Sequence, residues 1–520
     1  MGAAPTPLFS VITPVFDPPV AALSEMIASV TGQTDPDLEL VLVDDRSTRD
    51  EVRDVLRAAA RADERVRVVE RSQNGGIVAA SQDAVDAARG GFLVLVDHDD
   101  LLAPEALAVV RAAVEAQPDA DYLYSDEDKI GADGTRYDLF RKPPWSPERL
   151  RSHMYTGHLS VMRTEVVRRV GGFRAGYDGS QDHDLALRVA EAARAVVHVP
   201  EVLYHWRVVA GSAAGSPSAK EYAWEAGRRA VADHLERVGV RGTAELGRWP
   251  ATYRVRRQVD PDRTVSLVVA TAGRPSLVWG QERVPVVEAV RSFLARARHP
   301  RLEVVVVHDP DTPEPVLAGL RDLARDRLRL VVAPSAPGGS ARVNAGVLAA
   351  SGDVLVLLDE HAEVVTDDVV AELVAPLDDP DVAAVGPQLV GEDGRVVAAG
   401  LAHRDGAFAA LGRDHDADDP GQFVALGAAR EVSALPAACL AVRRDDFEAV
   451  GGLSERLSGT AAAGDLSLKL RRAGRRLVWQ PAARVYALGP DGDGASSAES
   501  AVLARRWGAA PTDLYSPGVL

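Results

Sequence analysis

The chain has 520 residues, of which 46% are hydrophobic, so it is long enough for two domains that each bury a core. Its 76 acidic residues outnumber the 59 basic ones, for a net charge of −17, and this excludes the basic stripe of a general nucleic-acid-binding protein. The lone Cys439 excludes an intramolecular disulfide and a thiolate metal cluster. No stretch approaches the roughly 20 apolar residues of a membrane-spanning helix, so we expect a cytoplasmic protein.

The N-terminal elements predict an α/β fold. Apolar, β-branched runs at residues 9–15, 38–43 and 92–96 predict buried strands, and amphipathic stretches at 52–62 and 104–116 predict helices. Continuous apolar strands separated by helices indicate a mostly parallel sheet that is covered on both faces. Ligands of such sheets bind beyond the carboxyl ends of the strands.

Acidic residues follow two of these strands. Asp44 and Asp45 follow the second strand, and Asp97-His98-Asp99-Asp100 follows the strand at 92–96. A single acid there would be explained as the cap of the next helix. Three acids favour a site for a hard cation such as Mg²⁺ or Mn²⁺, which binds carboxylate oxygens and shares them with substrate phosphates. The sequence therefore predicts a metal–diphosphate site at this edge.

Two later segments also carry residues that could do chemistry. Gln181-Asp182-His183-Asp184 opens a predicted helix, where an acid would serve either as an N-cap or as a general base for a hydroxyl. In Tyr204-His205-Trp206-Arg207, the histidine is either an ordinary core residue or a partner of the carboxylates on a metal ion. Tyr155-Thr156-Gly157-His158 is a weaker candidate for an acceptor pocket.

Two common nucleotide-binding signatures are missing. The first strand is followed neither by a Gly-x-Gly-x-x-Gly fingerprint nor by a Walker A lysine. Rossmann dehydrogenases and P-loop NTPases are therefore disfavoured.

The chain repeats itself in order, which predicts two domains at residues 1–258 and 259–520. The second copy lacks several acids of the first. His361 and Ala362 stand where the first copy has Asp99 and Asp100, Ala463 stands opposite Asp182, and an alanine after Val485-Tyr486 stands opposite His205. We expect a degenerate second domain, and an independently active one is the alternative. The paired segments are Leu38–Asp45 with 302–309, 74–90 with 336–352, 92–97 with 354–359, 170–173 with 450–453, and 184–188 with 465–469.

Taken in order, these segments resemble family 2 glycosyltransferases, which are inverting enzymes of the GT-A fold. Three further segments are similar to two-domain bacterial enzymes of surface-polysaccharide and O-antigen assembly, many of them rhamnosyltransferase-like: 125–129, 142–145 and 179–182. The tail at 506–508 and 515–517 is similar to the ending of such proteins. The motifs that carry the family resemblance are Thr13-Pro14, Val43-Asp44-Asp45, Asn74-Gly75-Gly76-Ile77, Asp97-His98-Asp99-Asp100, Tyr124-Ser125-Asp126-Glu127-Asp128, Gly171-Gly172-Phe173, Gln181-Asp182-His183-Asp184 and Tyr204-His205-Trp206.

The resemblance implies two tandem GT-A domains, which are Rossmann-like nucleotide-diphospho-sugar transferase folds. The first would move a sugar from a dTDP- or UDP-sugar to a hydroxyl of a growing cell-surface glycan or lipid-linked glycan, with Mn²⁺ or Mg²⁺ as cofactor. A lipid-linked acceptor would bring the protein to the membrane surface. The implied residues are Asp182 as general base; Thr13, Pro14, Asp45, Gly76 and Asp97 for the nucleotide sugar; Asp99 and His205 for the metal; and His158, Gln181, Asp184 and Trp206 for the acceptor.

The resemblance has departures and rivals. Gln181 stands where many relatives carry glutamate, which puts acceptor hydrogen bonding in doubt. A sugar-phosphate nucleotidylyltransferase would need a glycine- and arginine-rich loop with a lysine after the first strand, where this chain has Thr13-Pro14-Val15-Phe16-Asp17. A non-catalytic carbohydrate-binding scaffold is the other rival, and the acids of the first copy argue against it.

Overall fold

A computed structural model describes residues 6–208, 221–334, 338–404, 407–489, 496–508 and 515. Four residues of the motifs above, Ala336, Pro337, Ser516 and Pro517, lie outside the described residues. The chain forms two compact units. The first comprises residues 1–145, 153–238 and 244–253, and the second comprises 146–152, 239–243 and 254–520. The boundary between residues 258 and 259 stays a prediction, because short segments before it belong to the second unit.

The first half of the chain alternates strands and helices, as its apolar pattern predicts. The strands are β1 (Phe9–Val15), β2 (Leu38–Asp44), β3 (Val66–Glu70), β4 (Phe92–Leu95), β5 (Leu101–Leu102), β6 (Ala120–Ile130), β7 (Arg136–Phe140), β8 (Ser160–Arg163), β9 (Ala195–Arg207), β10 (Gly242–Leu246) and β11 (Tyr253–Arg257). The helices are α1 (Val20–Thr31), α2 (Asp50–Ala62), α3 (Gly76–Ala87), α4 (Ala106–Ala116), α5 (Pro147–Ser152), α6 (Thr164–Arg169), α7 (Gln181–Ala192) and α8 (Glu221–Arg237).

The sheet of the first unit is mixed. Its strand order is β3-β2-β1-β4-β8-β6-β9-β5, with β7 added beside β6. Strands β1 to β4 are parallel, whereas β8 is antiparallel to both β4 and β6, and β5 is antiparallel to β9. The prediction of a mostly parallel sheet is corrected in this respect. The helix predicted at residues 104–116 begins at Ala106, and Leu101 and Leu102 before it form β5.

The mixed directions bring particular loops to one edge of the sheet. Strand β9 runs parallel to β6, and both run in the direction of β4 because β8 reverses once between them. The ends of β4, β6 and β9 therefore lie at the same edge as the residues that precede β8 and β5. We call this the carboxyl edge of the sheet.

The second half of the chain builds the same order of strands, β16-β15-β12-β17-β24-β19-β25-β18, with β20 beside β19 and β23 beside β25. Its strands are β12 (Val265–Thr271), β13 (Ser276–Val278), β14 (Gln281–Arg283), β15 (Leu302–His308), β16 (Leu328–Val332), β17 (Val354–Asp359), β18 (Ala362–Val364), β19 (Val382–Val390), β20 (Val396–Ala398), β21 (Leu401–Arg404), β22 (Ala407–Ala410), β23 (Arg430–Glu431), β24 (Cys439–Arg443) and β25 (Arg476–Ala487). Its helices are α9 (Pro285–Arg296), α10 (Glu314–Ala324), α11 (Gly339–Ala349), α12 (Val369–Val374), α13 (Arg444–Ala449), α14 (Gly459–Arg472) and α15 (Ser497–Trp507).

Alternate side chains of the second sheet enter two separate cores. Leu267 and Val269 of β12 pack into a core that includes Phe293 of α9, whereas Val268 packs into a core that includes Leu466 of α14. A strand has a side-chain period of two, so alternating burial places helices on both faces of the sheet. This explains why the strands are continuous apolar runs.

Buried charges join α5 to the rest of the second unit. Glu431 is 1% exposed, and its carboxylate accepts hydrogen bonds from Arg476 Nη1 at 2.6 Å and from the Ser146 hydroxyl. Glu148 of α5 is also 1% exposed and forms ion pairs with Arg257, at 2.7 Å, and with Arg151. Burial raises the pKa of Glu431, and the neighbouring Glu148 charge raises it further, in spite of Arg476.

The substitution Arg476→Met tests this network. It leaves the carboxylate of Glu431 buried without its cation, so we expect the free energy of unfolding of the second unit to fall by about 3–5 kcal/mol. Arg321→Met is the matched control, because Arg321 pairs with Glu314 at the surface (side chains 50% and 72% exposed) and its loss should cost less than about 1 kcal/mol. Urea unfolding followed by circular dichroism measures both, and equal effects would contradict the assignment.

Candidate functional site

Three side chains that could bind a cation meet at the carboxyl edge of the first sheet. Asp97 follows β4, Asp100 precedes β5, and His158 lies two residues before β8. One potential ligand atom of each lies within 4.8 Å of the others, and His158 Nε2 is 3.7 Å from Asp97 Oδ2. Two carboxylates and an imidazole are a donor set that suits Mn²⁺ and other divalent first-row ions.

Asp100 is held deep in this edge. It is 1% exposed, and its two oxygens accept hydrogen bonds from the Tyr204 hydroxyl at 2.5 Å and from the backbone N–H of Arg207 at 2.7 Å. Burial and the adjacent Asp97 carboxylate raise the pKa of Asp100 to about 8, because both disfavour the ionised form of its carboxyl group. Burial and the Asp100 charge also raise the pKa of the Tyr204 hydroxyl well above its usual value.

Asp99, which the sequence predicts as a metal ligand, lies beside this group but is not one of its three members. It is partly buried, and its backbone carbonyl accepts a hydrogen bond from Arg207 Nε at 2.7 Å. Burial raises the pKa of Asp99, and the Asp97 charge raises it further against the opposing effect of His98. Asp99 as the metal ligand stays a prediction.

His158 lies beside Asp97 and Asp100, a grouping that the sequence did not predict. Its role in an acceptor pocket stays a prediction. Its ring stacks on Tyr204, with centroids 4.5 Å apart. Burial alone would lower the pKa of His158, but the carboxylates around it, of which Asp97 and Glu127 have the largest effect, raise it.

A buried ion pair fixes the turn that carries His158. Glu127 accepts a hydrogen bond from the backbone N–H of His158 at 3.0 Å and pairs with Lys142 Nζ at 3.0 Å. Lys142 is fully buried and also donates to the carbonyl oxygens of Thr156, at 2.7 Å, and His158. Sequence analysis gave these two residues no role. Their signal was a lysine followed by two prolines, combined with three consecutive acids on one strand, Asp126-Glu127-Asp128.

His205 has one imidazole nitrogen available for a ligand. Its Nδ1 lies 2.6 Å from Asp128 Oδ1, and its buried Nε2 has no hydrogen-bond partner among the residues that the structure describes. When Nδ1 donates to a carboxylate, the lone pair is on Nε2, which is the arrangement of a metal-binding histidine. His205 pairs with Leu101, the residue after Asp100. These features fit its predicted role, which stays a prediction.

The two acids at the start of α7, Asp182 and Asp184, differ in burial. Asp182 is partly exposed, and its Oδ1 accepts the backbone N–H of His183 at 2.8 Å. Burial raises the pKa values of Tyr122 and Tyr253, and the Asp182 charge raises them further. The Asp182 charge is also one of the carboxylate charges that raise the pKa of His158. Gln181 is also partly buried, and its Oε1 accepts the N–H of Gly179 at 2.8 Å.

The acceptor contact of Asp184 stays a prediction, and the structure shows which groups hold this side chain. Asp184 is fully buried, and its two oxygens are occupied by Arg174 and by Arg188, one helical turn later. A carboxylate held by two guanidinium groups out of solvent has a structural role. Trp206, the other predicted acceptor residue of this edge, is 42% exposed, and Lys129 Nζ lies 5.7 Å from the centre of its ring.

Two of the predicted nucleotide residues, Asp45 and Gly76, contact each other beyond the carboxyl end of β2. Asp45 is 3% exposed and accepts hydrogen bonds from Arg71 at 2.6 Å and from the backbone N–H groups of Gly75 and Gly76 at 2.9 and 2.8 Å. It therefore fixes the start of α3. Gly76 has a φ of 81°, which favours glycine. The contact of Asp45 with a nucleotide stays a prediction.

The end of strand β1 contacts the loop after β4. His98 Nδ1 lies 3.2 Å from the carbonyl oxygen of Pro14, whose ring is half-buried. The preceding Thr13 is fully buried, and its hydroxyl has no hydrogen-bond partner among the described residues.

The second unit offers an internal comparison. Leu95 pairs with Ser160 and Leu357 pairs with Leu440, so Ala438 stands where the first unit has His158. Ala362 stands at the position of Asp100, because β17 pairs with β12 in the same register in which β4 pairs with β1. Of the three grouped ligands, the second unit keeps Asp359 alone.

The register also corrects the predicted equivalent of His205. Leu101 pairs with His205, and Glu363 pairs with Tyr486. Tyr486, rather than the alanine after it, therefore occupies the position of His205.

Comparisons with known proteins agree with this architecture. Residues 10–171 match the family model described as glycosyl transferase family 2, and residues 261–510 match the one described as glycosyltransferase like family 2. The "Uncharacterized protein y4gI" of Sinorhizobium fredii is 40% identical over 488 residues, which cover 92% of this chain and 53% of that protein. The "O-antigen biosynthesis protein RfbC" of Myxococcus xanthus is 36% identical over 91% of this chain and 36% of that protein. The chain thus spans about half, or less, of the length of these two relatives.

Among solved structures, S. aureus TarS 1–349 in complex with UDP-GlcNAc is 21% identical, with a TM-score of 0.36, over 44% of this chain and 66% of that one. Overall similarity this low adds nothing to the assignment. The two family matches lie in the two halves that share one strand order. The chain is a member of glycosyltransferase family 2 and carries two tandem domains of that family.

Proposed function

We propose that the first unit transfers a sugar from a nucleotide-sugar donor to a hydroxyl of a growing cell-surface glycan, with inversion at the anomeric carbon and with Asp182 as the general base. The observation that carries the proposal is the group of Asp97, Asp100 and His158 at the carboxyl edge of a sheet within a family 2 domain. A cation there would receive the diphosphate of a dTDP- or UDP-sugar.

The surroundings of Asp182 support its proposed role as the base. Its Oδ2 has no hydrogen-bond partner among the described residues, while its Oδ1 is held by the start of α7. The carboxylate takes the proton of the acceptor hydroxyl while the oxygen forms a bond to the anomeric carbon. The bond to the nucleoside diphosphate breaks on the opposite face, and the diphosphate leaves with the electron pair.

The chain's own residues prepare the site for a cation. Asp97, Asp100 and His158 would hold Mn²⁺ or Mg²⁺, with Asp99 and His205 as the further predicted ligands. When bound, the cation neutralises charge that develops on the leaving diphosphate. Tyr204 orients Asp100 through its hydroxyl and His158 through ring stacking, so one side chain positions both ligands.

The second unit is proposed to be inactive as a transferase. Its equivalents of Asp100, His158 and Asp182 are Ala362, Ala438 and Ala463, and alanine neither binds a cation nor accepts a proton. The shared strand order supports this proposal, because Ala362 and Ala438 have the strand-edge positions of Asp100 and His158.

The acceptor class rests on a relative. The Myxococcus xanthus protein whose printed name is O-antigen biosynthesis protein RfbC aligns with 91% of this chain, so both units are shared with it. We extend that role to this chain as a bacterial surface glycan, free or lipid-linked. Among the described residues, no helix combines the length and apolar character needed to cross a bilayer.

The substitution Asp182→Asn tests the base. We expect turnover to fall by about 10²–10⁴-fold, because the amide cannot take the hydroxyl proton, while donor binding is retained. Released nucleoside diphosphate is measured against a panel of dTDP- and UDP-sugars that includes dTDP-rhamnose.

Asp359→Asn is the matched control for this test. Asp359 is the second-unit equivalent of Asp97, and its loss should leave turnover unchanged. If Asp182→Asn is fully active and Asp359→Asn is inactive, the active unit has been assigned wrongly.

Removal of the metal gives a second prediction. Treatment with EDTA should lower turnover by at least about 100-fold, and Mn²⁺ or Mg²⁺ should restore it, since a Lewis acid at the leaving group is worth several kcal/mol and 1.4 kcal/mol is a factor of ten. Asp97→Asn should weaken Mn²⁺-dependent binding of the nucleoside diphosphate in a calorimetric titration. Undiminished turnover in EDTA would contradict the metal site.

A further inference from the structure

The second unit has a hairpin where the first has a short loop. In the first unit, residues 16–19 connect β1 to α1, whereas in the second unit residues 272–284 connect β12 to α9. Strands β13 and β14 form the hairpin, and Trp279 and Gly280 at its tip have φ angles of 52° and 68°. The left-handed conformation at Trp279 is unfavourable for a bulky residue, so surrounding contacts must hold it.

Those contacts fix Trp279 over the carboxyl edge of the second sheet. Its ring meets Tyr486 edge-on, with centroids 4.9 Å apart, and its indole Nε1–H donates to Glu363 at 2.9 Å. Its backbone N–H donates to Glu392 at 3.0 Å. Trp279 nevertheless remains 37% exposed, so a large aromatic surface is held rigidly and presented to solvent.

The position of these contacts is informative. Glu363 and Tyr486 are paired residues of β18 and β25, equivalent to Leu101 and His205 in the first unit. The hairpin tip therefore covers the strand pair that in the first unit flanks the cation ligands. The second unit has exchanged those ligands for an aromatic ring bordered by two carboxylates.

We propose that this edge binds a sugar residue of the acceptor glycan without reacting with it. The apolar face of a sugar ring would stack on the exposed indole of Trp279, and its hydroxyl groups would donate to the carboxylates of Glu363 and Glu392. That the bound glycan is the acceptor rests on the function proposed for the first unit.

The chemistry of the edge favours a neutral sugar over other ligands. Two carboxylates repel a nucleoside diphosphate, and the alanines that replace Asp100 and His158 cannot bind a cation that would offset its charge. A protein partner would need a larger contiguous apolar surface than one indole ring. A sugar ring suits both the indole and the carboxylates, because it combines an apolar C–H face with hydroxyl groups that donate hydrogen bonds.

The test measures glycan binding by the full chain, separately from turnover. The probe is the surface polysaccharide fraction extracted from the source cells, immobilised and titrated with the protein by biolayer interferometry. Trp279→Ala should weaken binding by at least about 10-fold, through loss of the stacking surface. Glu392→Gln, which keeps the size of the side chain, should weaken it less.

Leu277→Ala is the matched control, because Leu277 lies in the same hairpin, is 74% exposed and should leave binding unchanged. Circular dichroism of each variant checks that the second unit is folded. Absence of binding by the unsubstituted protein, or equal binding by the Trp279→Ala and Leu277→Ala proteins, would overturn the proposal.

Asp182→Asn separates this inference from the proposed function. It should lower turnover by about 10²–10⁴-fold and keep glycan binding. If the unsubstituted protein transfers no sugar but binds the polysaccharide through Trp279, the transferase proposal fails and the glycan site stands.

Discussion

The candidate site depends on negative charge held out of solvent at one edge of a sheet. Asp100 is almost completely buried beside Asp97, and burial raises its pKa to about 8. Such a placement is costly unless hydrogen bonds and a cation compensate for it. Tyr204 and the backbone of Arg207 supply the hydrogen bonds. The remaining charge, shared with Asp97 and Asp99, supports the proposed binding of a divalent ion and a diphosphate at this edge.

The second unit shows that this charge is not needed for the fold. It builds the same strand order with Ala362 and Ala438 at the positions of Asp100 and His158. The energy of the fold comes from alternating apolar residues on both faces of the sheet, which both halves keep. Since the second sheet forms without these acids, the fold does not require them, and this supports the ligand-binding role proposed for them in the first unit.

Sequence analysis was most successful where local pattern decides the structure. Apolar runs predicted the strands, and the order-preserving repeat predicted two units with one topology. It was incomplete where long-range pairing decides. A parallel sheet puts only residues that follow strands at its carboxyl edge, so His158, which precedes an antiparallel strand, was not grouped with Asp97 and Asp100. Glu127 and Lys142 were missed because their role is a buried contact to the backbone of another loop.

The same reasoning separates structural acids from chemical ones at the start of α7. Asp184 and its equivalent Asp465 are both fully buried, and each is paired with a basic residue four positions later, Arg188 or Lys469. An acid that both units keep, with the same kind of partner, serves the structure they share. Asp182 is present in the active-site candidate alone, and Ala463 replaces it within an equally well-formed helix, α14. The helix therefore does not require the carboxylate of Asp182. The position of Asp182 and its replacement by alanine in the second unit both support the proposal that it accepts a proton.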